Sequence, residues 1–159
     1  MFGWLKTPTF EDPQLGTLTR KRGLWRGTIA LEAEGNVPIA LAGSRREPDA
    51  GALAAAQALP GRFRSWRPVL ERELFAHYEP YAESVAADAR RKGTDPLAMP
   101  ASPGEVWHHV DLQFISITPL DGTLTTELGF TTDWDDEHAL GARFHGDRFV
   151  ELNGSVLRP

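Results

Sequence analysis

The property that most restricts how this chain can fold is a change of hydrophobic period, from two residues to between three and four and back to two. In the first third Trp25, Gly27, Ile29, Leu31 and Ala33 share one parity, while Arg26, Thr28 and Glu32 take the other. Such alternation belongs to a half-buried strand, because successive side chains leave a strand on opposite faces. In the middle Phe63, Trp66, Leu70, Leu74, His77/Tyr78, Tyr81 and Val85 recur every three or four residues, which is one face of an amphipathic helix. The last third returns to period two, in Leu124, Thr126, Leu128 and Phe130 and again in Leu140, Ala142 and Phe144. Strands, then helices, then strands predict an α+β domain. Its expected form is an antiparallel sheet of about five to seven strands, with two or three helices from the middle of the chain packed on one face.

Turn and cap residues divide these segments further. Leu15-Gly16-Thr17-Leu18-Thr19-Arg20 is a short strand candidate, and Gly35-Asn36 between two alternating runs resembles a tight hairpin turn. Val37, Ile39 and Leu41 continue on the return strand beside Pro38, which cannot donate to a ladder and so predicts an edge position or a bulge. Pro48-Asp49 offers a helix start, and Pro60-Gly61 a stop, around the alanine-rich run Ala50 to Leu59. In the second helix Pro68 suits a first turn, whereas Pro80 predicts a kink or a division. Arg90-Arg91-Lys92 before Gly93 is a helix C-terminus. Residues 93–106, rich in proline and glycine, read as a loop back to the sheet. Val110, Leu112 and Phe114 then lie on one parity and Ile115 and Ile117 on the other, so either both faces are covered or a bulge shifts the phase. Gly146-Asp147 predicts a second hairpin.

With 159 residues, 41% hydrophobic and 25% charged, the chain suits one domain with an ordinary core, residues 1–9 being an expected flexible lead-in. A net charge of −5 argues against nucleic acid as a partner. The absence of cysteine removes disulfides and thiolate metal sites. No stretch approaches the roughly 18 apolar residues of a membrane span, and the N-terminus lacks the pattern of a secretory signal, so a cytoplasmic location without membrane contact is expected.

The densest chemistry lies in Asp133-Trp134-Asp135-Asp136-Glu137-His138, just before the alternation at Leu140. With Trp107 and His109 upstream, Asp133, Trp134, Asp135, Glu137 and His138 form a candidate binding set for a basic protein partner, the aromatics serving as anchors. A rival reading takes His109, Asp135, Glu137 and His138 as ligands of zinc or manganese in a small hydrolase, provided that the strand containing Val110 pairs with the one containing Leu128. A third makes the run a structural corner. Trp134 then plugs the core, Asp135 or Glu137 accepts backbone N–H bonds, and His138 bonds a neighbouring strand. Nucleophile motifs and phosphate-binding glycine loops are missing, so no catalytic residue and no cofactor are assigned.

Several of these segments together resemble a family of small bacterial domains of unknown function. They are Phe10 with Leu15-Gly16-Thr17-Leu18, Trp25-Arg26-Gly27, Gln57 leading to Phe75-Ala76-His77-Tyr78-Glu79-Pro80-Tyr81, and Trp134-Asp135-Asp136-Glu137-His138-Ala139-Leu140-Gly141. The last is similar to the family's W-D-x-E-H-G-L-G signature, with Ala139 where a glycine is usual. The resemblance runs from about Phe10 to Asn153. Through relatives near bacterial toxin–immunity genes it implies a non-enzymatic binding or accessory role, immunity-like in kind.

Overall fold

The computed structural model describes residues 6–95 and 99–159. Four strands come first: β1 (Thr9–Asp12), β2 (Gly16–Lys21), β3 (Leu24–Leu31) and β4 (Gly35–Leu41). One helix follows, α1 (Ala50–Lys92), and then a 3-10 helix (Pro103–His108). Four more strands complete the fold: β5 (Val110–Leu120), β6 (Thr123–Thr132), β7 (Ala139–His145) and β8 (Arg148–Val156). All eight form one sheet in sequence order. Every neighbouring pair is antiparallel except β4 and β5, which run parallel through Ile39↔Ile115 and Leu41↔Ile117.

The expectation of an antiparallel sheet of five to seven strands with two or three helices is therefore overturned. The sheet is mixed, has eight strands, and is served by one long helix and one 3-10 turn. The mixed sheet and the single helix have one cause. Two antiparallel helices would return the chain to the end of the sheet it left, so that β5 would oppose β4. One unbroken helix delivers it to the far end, and β5 must then run the same way as β4.

The helix continues because tertiary packing outweighs the proline cost. Ala52, Ala56, Leu59, Phe63, Trp66, Leu70, Leu74 and Tyr78 form a buried stripe, and all three prolines lie off it. Pro68 and Pro80 are exposed, and the carbonyls they deprive of a donor belong to the exposed residues Arg64 and Ala76, where water can take the bond. The outer caps match the sequence reading. Asp49 accepts from the Ala52 N–H at 2.9 Å, and Gly93 closes the helix with a φ of 66° behind three cations.

Opposite that stripe, the inner face of the sheet presents Trp25, Ile29, Ile39, Leu41, Ile115, Ile117, Leu128, Phe130, Leu140 and Phe144, all buried. Trp66 stacks on Phe144 with ring centroids 3.7 Å apart. A bulge between Leu112 and Phe114 shifts the phase of β5 and sends Phe114 to the outer face, over Gly129, where a Cβ would overlap its ring. Pro38 is neither at an edge nor in a bulge. The β4–β5 ladder starts one residue later, at Ile39, so the missing N–H leaves it intact. The β3–β4 turn is Glu32 to Glu34, with Ala33 at φ 68°, and Gly35-Asn36 already belong to β4. Of the expected lead-in, Thr9 is part of β1, and of the expected loop, Pro103–His108 is helical. Residues 1–5, with Trp4, and residues 96–98 lie outside the described residues.

At 1.5 Å per residue the 43-residue helix is about 64 Å long, against about 37 Å for the 11-residue β5. It overruns the sheet at the end where β5 and β7 begin, and beyond Tyr78 only Ala89 of its described residues is fully buried. Among the described residues no helix is long and apolar enough to cross a membrane. Two substitutions separate the packing stripe from the proline face. Leu70→Ala is expected to cost about 2–5 kcal/mol in denaturant unfolding, because its side chain is fully enclosed. Pro68→Ala, on the exposed face, is expected to leave stability unchanged or raise it.

Candidate functional site

The six residues between β6 and β7 turn the chain at this overhung end of the sheet. Trp134 folds back into the core and is 6% exposed, with its ring 5.3 Å from Tyr78 and its Nε1 donating to His77 Nδ1 at 3.1 Å. Asp135 follows with its side chain turned inward. Its Oδ1 accepts from the backbone N–H of Glu137 at 3.1 Å and of His138 at 3.2 Å, and Oδ2 meets the His138 ring at 3.1 Å. Its own N–H donates to Thr132 Oγ1. This is an aspartate-closed turn, which satisfies the backbone without a ladder. Burial works against the Asp135 charge, but the Glu137 N–H and the His138 ring and N–H outweigh it and hold the carboxyl below its ordinary value of 3.8.

The segments 108–111 and 133–138 do converge, through the β5–β6 pairing that puts Val110 opposite Thr132. The Asp133 N–H donates to the His109 carbonyl at 2.9 Å, and His109 Nδ1 lies 3.1 Å from Asp133 Oδ2. His109 is thus paired with Asp133, and His138 with Asp135. Among the described residues no three His, Asp or Glu side chains are grouped to hold a metal ion. The Asp135–His138 pair fixes the imidazole through Nδ1. The groups immediately around it are backbone amides and acids.

Trp107 is half-buried. Its ring packs against Phe63 and Phe130 under the Arg67 guanidinium, which lies 4.4 Å from the ring centroid, and Nε1 donates to Glu71 at 2.6 Å. Trp25, Trp66 and Trp134 are buried. Ala139 opens β7 without a positive φ, so the alanine is accommodated there. Gly141 needs to be glycine for another reason, since a Cβ would lie 2.6 Å from Val156 Cγ1 and 3.0 Å from the Glu127 carboxylate.

Two acids in this turn have no such structural task. Asp136 and Glu137 are exposed, and neither side chain is paired among the described residues. Two further carboxylates, Glu34 and Asp111, lie at the same end of the sheet. Burial raises the Glu34 carboxyl above its ordinary value, against the Arg67 charge and with a smaller contribution from Asp111. Between the corner and the overrun of α1 lies an open cleft of about 360 Å³, where Tyr81, Val85 and Trp134 are flanked by Asp133, Asp136 and the ion pair of Asp88 with Lys92.

The matching family model, DUF6985, is described as a domain of unknown function and covers residues 14–156. The chain belongs to that family. Comparisons with curated proteins and with solved structures return no match. The DUF6985 span reaches from just ahead of β2 to the last residue of β8, so the corner, its aspartate turn and His77 all lie inside the domain. Membership bears out the coarser part of the resemblance drawn above, a domain of unknown function.

His77 is the site residue that sequence reasoning missed. Its position beside Tyr78 on the helical stripe read as core, and nothing local marks a partner 57 residues away. The aspartate turn makes its own prediction. Asp135→Ala should cost about 1 kcal/mol, the usual worth of a side-chain oxygen capping backbone N–H groups. The folded carboxyl titrates below 3.8, so its contribution is complete above that pH and lost as pH falls through the folded value. A melting-temperature profile against pH should therefore have a shallower acid limb in the variant.

Proposed function

We propose that this DUF6985 domain is a non-enzymatic accessory protein, immunity-like in kind, that binds a basic protein partner at the acidic end of its sheet. The observation that carries the reading is a division of labour within the corner. Trp134, Asp135, His138, Leu140 and Gly141 are each consumed by packing or by hydrogen bonds of the turn, while Asp136 and Glu137 are exposed and, among the described residues, unpaired. Asp133, 59% exposed, and the like-charged Glu34 and Asp111 extend the same negative field. Asp136 lines a cleft with an aromatic wall, and an exposed carboxylate beside such a wall suits a lysine or arginine side chain. Such a field raises the rate of encounter with a cationic surface more than it deepens affinity. Trp107, already committed to Glu71 and Arg67, is not needed as an anchor.

The test is charge reversal. A tagged wild-type chain should retain a basic protein from the lysate of its own host, and the Asp136→Lys/Glu137→Lys double variant should not. With the purified pair, the association rate constant at low salt should fall by about tenfold or more. The melting temperature should hardly move, since neither side chain is used by the fold. Retention of the same proteins by both chains, or of none by the wild type, would remove this reading.

A further inference from the structure

We propose that His77 is a pH-sensitive latch: it hydrogen-bonds the Trp134 indole to helix α1 only while its imidazole is neutral, and protonation breaks that bond.

The argument begins with donor inventory. An indole Nε1–H can only donate, so the 3.1 Å contact from Trp134 requires a lone pair on His77 Nδ1. The imidazole is then neutral, with its proton on Nε2, a tautomer assigned by the hydrogen-bond network itself. Protonation would place a second N–H at Nδ1, facing the indole N–H. Two donors would meet where one bond existed, at a half-buried position.

The groups around His77 were considered from both elements packed on it. From α1, Tyr81 stacks on its ring with centroids 5.4 Å apart, and Tyr78 lies against Trp134. From the corner come Trp134, the Asp135 carboxylate and His138. Burial is the largest influence and favours the neutral ring, Asp135 favours the cation, and His138 opposes it, so that the His77 pKa lies below its ordinary 6.5. Asp135 is a poor alternative partner, because its oxygens already accept from two backbone amides and the His138 ring. The sign follows from linkage. As pH falls the unfolded chain takes up the proton first, so the stabilisation due to neutral His77 is complete above 6.5 and lost as pH falls through the folded value.

Trp134 is the point where the acidic turn is nailed to the core, and Asp136 and Glu137 follow within three residues. Loss of the hydrogen bond therefore loosens the hold of α1 on this segment, while the Tyr78 packing and the Asp135 turn remain. The consequence for a partner rests on the reading given under Proposed function. The latch itself does not, and it is tested on the isolated protein.

The indole N–H resonance of Trp134, assigned with Trp134→Phe, is followed by NMR from neutral pH to about pH 5. In the wild type it should move upfield as its hydrogen bond is lost, with a midpoint below 6.5 that coincides with the titration of the His77 ring protons. His77→Asn keeps an acceptor oxygen near the Nδ1 position but cannot be protonated there, and should hold the resonance at its bonded position throughout. His138→Gln should keep the transition. An indole resonance that stays fixed while the His77 ring titrates would overturn the latch, and so would loss of the transition in His138→Gln. The wild-type measurement alone decides the matter should His77→Asn fail to fold.

Discussion

One contact surface underlies everything else in this fold, the apolar stripe of α1 laid against the inner face of the sheet. The stripe runs unbroken from Ala52 to Tyr78, and because it does, the helix survives three prolines and carries the chain from one end of the sheet to the other. The parallel β4–β5 pair is a consequence of that delivery. So is the overrun of the helix past the sheet, which creates the wall of the cleft and brings His77 level with the β6–β7 corner. Dividing the helix would change the direction of β5 and leave Trp134 without its partners on α1.

In the corner, a run of acidic residues divides between turn-closing and exposed positions. A turn of six residues at the rim of a sheet leaves backbone N–H groups without ladder partners, and Asp135 takes two of them. Trp134 supplies the apolar anchor, and His109 and His138 each face one carboxylate. What remains exposed is a surplus of negative charge on Asp136 and Glu137, held in a defined place by neighbours that do not need it. Rigid support beneath free charge is the arrangement a recognition surface requires.

Much of the fold was legible in advance, because period-two and period-3.6 patterns report directly on which face is buried. Trp25 and Ile29 on one parity, and Phe63, Trp66, Leu70 and Leu74 on one helical face, are inside as their spacing implies. The phase conflict in β5 was visible too, and a bulge resolves it. The helix count was not legible. Pro60-Gly61 is a strong local stop and Pro80 a strong local break, and local propensity has no means of registering a sheet that pays more for continuity than the prolines cost. The convergence of 108–111 with 133–138 hung on a strand pairing that the sequence left open, and the β5–β6 ladder supplies it. The partners within it were not legible, since His109 finds Asp133 and not the acids further along the turn.

By itself, then, the sequence determined the strand–helix–strand order, the buried stripes, the caps at Asp49 and Gly93, and the concentration of chemistry at residues 133–138. All of these depend on neighbours within a few positions, where spacing and side-chain type suffice. Only the tertiary structure decided that the helix is one, that the sheet is mixed, which acids are used up by the turn and which are free, and that a helical histidine faces an indole from the far side of the sequence. Each of those depends on contacts between segments tens of residues apart, whose energies outweigh local preference and leave no mark in the local pattern.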